Sequence, residues 1–263
     1  GDVVALTASK KGELIGSLQA DQQVGQIVLK GARTIGLTKN AQVALLRDGR
    51  VVYWHEAGLA KQLIEIKGLD GVISISCNNN YGIYGLHKYG HVRFAITGSD
   101  VTPKWMVDPS MPNVINGHVV AIAAGGKHTL ALLRNGTVAA WGDNSGGQCT
   151  VPEGLKNVVS VAAGKSHSMA LTVEGKVVAW GDNSRGQTNV PSRLPEAVAI
   201  HANPDSYWSF VTIKDGRIAT WGIGGQWAHL KETAKVPLEL KDRTVFVEAN
   251  NDNAMIYSLS VPK

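Results

Sequence analysis

The sequence has few cysteines and lacks a long apolar run. Its 263 residues include two cysteines, Cys77 and Cys149, in different repeat units, so we expect them to be unpaired, which favours a reducing compartment. No apolar stretch approaches the roughly 20 residues that a membrane-spanning helix needs. The chain begins within a strand pattern, so we expect no signal peptide in it and a soluble protein of the cytoplasm or of a larger particle.

A strong excess of one charge is also lacking. The chain has 26 basic and 21 acidic residues, a net charge of +5, without a clustered basic stripe, which argues against a nucleic-acid partner. The histidines show no spacing typical of a zinc site, and Gly125, Gly126 and Lys127 lack the spacing of a phosphate-binding loop. We therefore predict no metal site, no cofactor and no catalytic residue, and expect that the protein is not an enzyme.

An internal repeat is the main feature that is present. Residues 119–152 and 158–191 are identical at 20 of 34 aligned positions, with an offset of 39 residues. The same frame recurs with lower similarity along the chain. Five copies end at Trp54, Ala95, Trp141, Trp180 and Trp221. A period of about 20 to 50 residues is typical of solenoids, propellers and arrays.

The two ends of the chain each carry part of a unit. A sixth copy begins at Val247 and stops before its Gly and Trp, whereas residues 1–13 align with residues 175–187. A ring gains from such a split because its closure leaves no long open sheet edge. We therefore predict an all-β fold with one domain, residues 1–263. It is a β-propeller of six four-stranded blades, with seven as the alternative, and its ring is closed by N- and C-terminal strands that share one blade.

Each unit is predicted to hold four strands. In the unit that begins at Val158, the pattern predicts strands over 158–164, 167–172, 177–180 and 187–190, with a tight turn at Glu174 and Gly175. The repeated tryptophans indicate packing within blades, and His128 and His167, one period apart, are predicted to have structural roles.

The repeat resembles a known family. The string AAGxxHxxAL, followed by GxVxxWGxNxxGQ and VP, resembles the repeat of the regulator of chromosome condensation family, and its short form is similar to the bacterial propeller-type β-lactamase inhibitor proteins. The resemblance is strongest over residues 119–191 and favours a bacterial or phage protein. It implies a propeller that binds other macromolecules, because family members bind a small GTPase and chromatin, a β-lactamase, or a second copy of themselves.

The candidate binding site lies on one face of the predicted propeller. In a four-stranded blade, the loop between the first two strands and the loop between the last two emerge on the same side. Aromatic anchors dominate protein interfaces, and basic side chains share this face. The candidate partner-binding residues are Tyr81, Lys127, Arg185, Tyr207, Trp208 and Trp227. For Trp208, which stands at the position of His167, a place in the core of its blade is the alternative.

The sequence therefore predicts a non-enzymatic protein–protein interaction module, an inhibitor or an assembly adaptor. Its partner is another protein, held by the loops of one face. The alternative is a surface or virion-type module that recognises a glycan or a cell-surface receptor, or that has a structural place in a particle.

Overall fold

The regular secondary structure of the described residues consists of antiparallel strands and one short 3₁₀ turn. The computed structural model describes residues 4–8, 14–17, 23–24, 27–28, 32–38, 41–55, 64–68, 71–78, 82–96, 107–215, 217–222, 244–249 and 255–260. The strands before residue 100 are β1 (Val4–Ala8), β2 (Leu14–Ser17), β3 (Gln23–Val24), β4 (Ile27–Val28), β5 (Ala32–Leu37), β6 (Ala41–Leu46), β7 (Val51–His55), β8 (Ile64–Glu65), β9 (Val72–Cys77), β10 (Gly82–His87) and β11 (Val92–Ile96).

The later strands follow a short 3₁₀ turn, Asn113–Ile115. They are β12 (Val119–Ala124), β13 (His128–Leu133), β14 (Val138–Gly142), β15 (Val158–Ala163), β16 (His167–Thr172), β17 (Val177–Gly181), β18 (Ala197–Ala202), β19 (Ser209–Ile213), β20 (Ile218–Trp221), β21 (Thr244–Ala249) and β22 (Met255–Ser260).

These strands form a series of small sheets in chain order. Strands β9 to β11, β12 to β14, β15 to β17 and β18 to β20 each form a three-stranded antiparallel sheet, and β5 to β8 form a four-stranded one. Strands β3 and β4 pair as a hairpin. The remaining sheet has the order β2, β1, β22, β21, so it combines strands from both ends of the chain, with Val4 opposite Leu259.

Glycine sets the tight turn between the second and third strands of a unit. Gly49, Gly136 and Gly175 have φ angles of 87°, 77° and 75°. Side chains with a Cβ rarely adopt this left-handed conformation, which explains the recurrence of DG, NG and EG in the sequence. The turn at Glu174 and Gly175 falls where the sequence predicts it.

The hydrophobic core lies between neighbouring sheets. Each of the four clusters of buried side chains combines residues from two sheets that follow one another in the chain. The repeated tryptophans are all buried: Trp54, Trp141, Trp180 and Trp221. Their fixed period therefore reflects packing, as the sequence predicts.

The fourth strand predicted for residues 187–190 is wrong. In the units that contain β12 to β14 and β15 to β17, the third strand is followed by turns, and the structure shows no strand over residues 143–157 or 182–196. Local bonds use the backbone groups that a further strand would need. Thr188 N donates to Asn183 Oδ1 at 3.1 Å, and Asn189 N donates to the carbonyl of Gly186 at 3.1 Å.

The cysteines lie apart, as predicted. Cys77 is buried at the end of β9, Cys149 is half-buried in the loop after β14, and no disulfide joins them. Within the described ranges, the structure shows no helix that is long and apolar enough to cross a membrane.

Candidate functional site

Two loops of each unit lie side by side at one edge of its sheet. The amide of Asp143, after β14, donates to the carbonyl of Lys127, between β12 and β13, at 2.9 Å. One unit later, Asp182 N donates to the carbonyl of Ser166, also at 2.9 Å. The first and last loops of a unit therefore share a side in these two units, as the sequence predicts.

The loops of successive units are also bonded to each other. Gly126 N donates to the carbonyl of Gly164 at 3.1 Å, and Lys165 N donates to the carbonyl of Ser206 at 3.0 Å. We call the resulting continuous surface the loop face. It comprises residues 125–127, 143–148, 164–166, 182–187 and 203–208.

A chain of buried hydrogen bonds supports the loop face from below. His128 Nε2 lies 3.0 Å from Ser168 Oγ of the next sheet, and that hydroxyl donates to the carbonyl of Gln148 at 2.8 Å. The indole Nε1 of Trp180 donates to the same carbonyl at 3.0 Å. The sequence predicts a structural role for His128, and the structure shows that this role is to join two sheets.

The same link recurs one unit later. His167 Nε2 lies 3.0 Å from Ser209 Oγ, which donates to the carbonyl of Gln187 at 2.8 Å, and Trp221 Nε1 donates to that carbonyl at 2.9 Å. A carbonyl oxygen can only accept a hydrogen bond, so each serine hydroxyl donates its proton to the carbonyl and accepts a hydrogen bond from the histidine. Nε2 of each imidazole therefore carries a proton.

Burial keeps these imidazoles uncharged. It lowers the pKa of His128 and of His167 to about 4, since the charged ring would lose its hydration. In both rings, Nδ1 is buried and has no hydrogen-bond partner. Neither histidine is suited to proton transfer near neutral pH.

The link has a different acceptor at the preceding sheet. Trp141 Nε1 donates to Asp108 Oδ2 at 2.9 Å, and Tyr84 OH donates to the same oxygen at 2.8 Å. Ser110 donates twice to the other carboxylate oxygen, from its amide at 2.9 Å and its hydroxyl at 2.6 Å. Burial raises the pKa of Asp108, but these donors outweigh burial and hold that pKa below its usual value.

The repeated aspartates of the WGDN motif serve their own loops. Asp143 accepts from the amide and hydroxyl of Ser145 and from Gln148 Nε2, and the backbone donor of Ser145 is the main cause of its lowered pKa. Asp182 accepts from Ser184 and Gln187 in the same way. Both carboxylates therefore stabilise the turns in which they lie. No cluster of three metal-ligating side chains occurs within the part of the chain that the structure describes.

An aromatic ring with two cations stands out on the loop face. Lys165 Nζ lies 4.9 Å from the centre of the Tyr207 ring, and Arg185 Cζ lies 5.1 Å from the same point. Lys165 and Tyr207 are half-buried, whereas Arg185 is exposed. We call these three residues the Tyr207 cluster. It lies where the unit of β15 to β17 meets that of β18 to β20.

The equivalent junction one unit earlier, between the units of β12 to β14 and β15 to β17, has neither the aromatic ring nor the two cations. Gly126 stands at the position of Lys165, Gly146 at that of Arg185, and Ser166 at that of Tyr207. The backbone arrangement is nevertheless the same, because Gly146 N and Arg185 N each donate to the side chain of the glutamine two residues later, at 2.8 Å. The repeat therefore supplies the backbone, and its departure from the pattern supplies the cluster.

The structure brings together some of the predicted site residues. Arg185 and Tyr207 are in contact, and Lys127 is exposed on the same face but belongs to the preceding unit. Trp208 is half-buried, with its ring centre 6.2 Å from that of Phe210. Tyr81 and Trp227 lie outside the described residues.

Lys165 was missing from the predicted site. It contributes a cation to the Tyr207 cluster. Its signal in the sequence was the replacement of Gly126 of the preceding unit by a cationic residue.

Comparisons with known proteins agree with this architecture. The model of the regulator of chromosome condensation (RCC1) repeat matches residues 119–148 and 158–187. The chain resembles human WBSCR16 with a TM-score of 0.64 at 13% identity, covering 98% of each chain. It resembles yeast RCC1 (Prp20), solved with Kap60 bound, with a TM-score of 0.63 at 18% identity, covering 88% of this chain and 67% of that one.

A further structure, Prp20p from Saccharomyces cerevisiae, described with its binding properties to Gsp1p and histones, gives a TM-score of 0.63 at 17% identity over 88% of this chain and 69% of that one. No match was found among the curated proteins. The fold is thus that of a β-propeller. The chain contains RCC1 repeats over residues 119–148 and 158–187, which confirms the resemblance seen in its sequence.

Proposed function

We propose that this chain is a non-enzymatic protein-binding propeller, an inhibitor or an assembly adaptor, which holds one protein partner on the loop face. The observation that carries the proposal is the bonding of loops from three successive units into one surface. Such a surface is ordered before a partner arrives, so binding needs little additional loop ordering. Two yeast RCC1 structures support this proposal by analogy of fold. One has Kap60 bound, and the other is described with the binding properties of Prp20p to Gsp1p and histones.

The proposal includes a closed ring of six blades formed by residues 1–263. The first strands of successive sheets contact one another from β5 through β9, β12, β15 and β18 to β21. Strand β1 pairs with β22 in the sheet that also contains β21. Both observations favour a ring in which the terminal strands share a blade.

The loop face can be tested by capturing partners from an extract of the native source. We suggest three baits: the wild type, a triple variant of the face (Lys127→Ala, Arg185→Ala and Tyr207→Ala), and a control variant (Arg134→Ala and Lys176→Ala). The two control residues are exposed in turns at the opposite ends of the strands. Circular dichroism and thermal unfolding establish that all three baits are folded.

We expect the wild type and the control variant to capture the same protein, and the face variant to lose it. Capture of that protein by all three baits would place the binding surface elsewhere. Binding to a glycan array that depends on the same three residues, without a protein partner, would favour recognition of a glycan or a cell-surface receptor instead.

A further inference from the structure

We infer that the Tyr207 cluster is a carboxylate-binding site that takes an Asp or Glu side chain from an acidic segment of a partner protein. This inference rests on the proposed function, since it names the chemistry by which the loop face would recognise its partner.

The first argument is that the two cations have no counter-ion among the described residues. Three other basic side chains have a carboxylate partner: Arg50 with Asp48, Lys214 with Glu196, and Arg217 with Asp215. For Lys165 and Arg185, by contrast, the described residues provide no carboxylate within 4.0 Å of the charged nitrogens. Their side chains lie against a neutral ring, which holds a cation in place without cancelling its charge.

The second argument is that the backbone of the cluster is fixed. Lys165 N donates to the carbonyl of Ser206, and Arg185 N donates to Gln187 Oε1, whose side chain is fully buried. A guanidinium stacked on an aromatic ring keeps its edge available for two parallel hydrogen bonds to a carboxylate. Binding would therefore need little ordering of the loops.

The third argument concerns Asp182, an acidic residue in the same loop as Arg185. The carboxylate of Asp182 accepts from the amide and hydroxyl of Ser184 and from Gln187 Nε2. Three donors of its own loop thus bind this carboxylate, and it forms no ion pair with Arg185 within 4.0 Å.

The charge of the surrounding face favours an acidic peptide over a nucleic acid. Among the described residues, two cations meet at the cluster, and Asp143, Asp182 and Asp205 lie in the same set of loops. Nucleic-acid binding draws on many phosphate contacts along a basic surface. A single carboxylate needs no more than one cationic corner.

The test uses a fluorescein-labelled hexaglutamate peptide as the probe, with binding to the full chain followed by fluorescence anisotropy at low and at high salt. We suggest the single variants Lys165→Gln and Arg185→Gln, which remove the charge and keep the side-chain length. Lys176→Gln is the matched control, because it removes an exposed charge from a turn at the opposite end of the strands, away from the loop face. Hexaglutamine and an oligothymidine of the same length are the comparison probes.

We expect each cluster variant to weaken hexaglutamate binding about tenfold or more, as a lost charge-assisted hydrogen bond does, and Lys176→Gln to change it less than about threefold. Hexaglutamine should not bind. The inference fails if hexaglutamate does not bind, or if both cluster variants bind it as the wild type does. It also fails if oligothymidine binds more tightly and shows the same dependence on Lys165 and Arg185, which would indicate a nucleic-acid site.

The two proposals fail in different ways. If the face variant loses its captured protein while hexaglutamate binding does not depend on the cluster, the proposed function stands and the carboxylate site is wrong. If hexaglutamate binding depends on the cluster while all baits capture the same protein, the cluster binds carboxylates but the loop face does not hold that protein. The proposed function is then wrong.

Discussion

The hydroxyl of Ser209 lies 3.0 Å from His167 Nε2. The two residues are 42 positions apart in the chain and belong to neighbouring sheets. The same hydroxyl donates to the carbonyl of Gln187, so one small side chain satisfies two buried groups of the preceding unit. Ser168 serves His128 and Gln148 in the same way. The serine is thus a structural link between sheets.

Replacing Ser209 with alanine should destabilise the protein. The variant leaves the buried imidazole N–H of His167 without its acceptor and removes one donor from the Gln187 carbonyl, which should lower the free energy of unfolding by about 1 to 3 kcal/mol. Urea unfolding measures the change. Ser192→Ala, at an exposed position, is the control and should change stability by less than about 0.5 kcal/mol. Equal stability of the two variants would show that the link contributes little.

Stability should fall as the pH is lowered from neutrality towards 4. Burial lowers the pKa of His128, His167 and His201 from 6.5 to about 4 in the folded protein. The unfolded chain therefore binds more protons between these values, so the free energy of unfolding declines as pH falls, by up to about 1.4 kcal/mol per pH unit for each histidine. Below about pH 4, this contribution should decline no further.

Urea unfolding at pH 7, 6 and 5 measures this trend. Asp108 and Asp143 have pKa values lowered from 3.8, so their stabilising contribution is lost only at still lower pH and does not mask the effect. An unchanged unfolding midpoint between pH 7 and pH 5 would contradict the burial of neutral imidazoles.

Asp108→Asn should be costly although it changes little in size. The carboxylate accepts from Trp141, from Tyr84 and twice from Ser110, whereas an amide offers one accepting oxygen and places an NH₂ group against donors. We expect a loss of about 2 to 3 kcal/mol, measured by chemical denaturation. The control is Asp215→Asn, which disrupts an exposed pair with Arg217 and should cost less than about 1 kcal/mol.

Gly164→Ala should disturb the histidine link from its other side. An added Cβ would overlap the ring of His167, which is fully buried. Gly147→Ala is the control, because its Cβ would meet nothing within 4 Å and its φ of 83° confines the cost to backbone strain of about 1 to 2 kcal/mol. Thermal unfolding should show the larger loss for Gly164→Ala, and the reverse order would mean that the ring can shift.

The sequence predicts much of the scaffold because repetition shows which positions pack. The strands expected over 158–164, 167–172 and 177–180 are found over 158–163, 167–172 and 177–181. The fourth strand fails because Asn183 and Gln187 divert the backbone into turns, and local alternation cannot reveal such side-chain bonds.

The sites were harder to predict than the strands. Arg185 and Tyr207 are 22 positions apart, so their contact depends on how one unit packs on the next. One difference between the repeat units does indicate the cluster. Lys165 and Arg185 stand where the preceding unit has glycines, Gly126 and Gly146. Two such replacements on the same face indicate Lys165 as well as Arg185 as site residues.

The shared backbone of the two corners separates the shape of the surface from its chemistry. The backbone N–H of Gly146 donates a hydrogen bond to the buried Gln148, and that of Arg185 donates the same bond to the buried Gln187. Yet glycine has no side chain and arginine has a long cationic one. A unit of this kind can therefore acquire or lose a binding specificity by point substitution, while its loops keep their length and course. Duplicated units, initially alike, can in this way diverge into a surface on which each corner reads a different ligand.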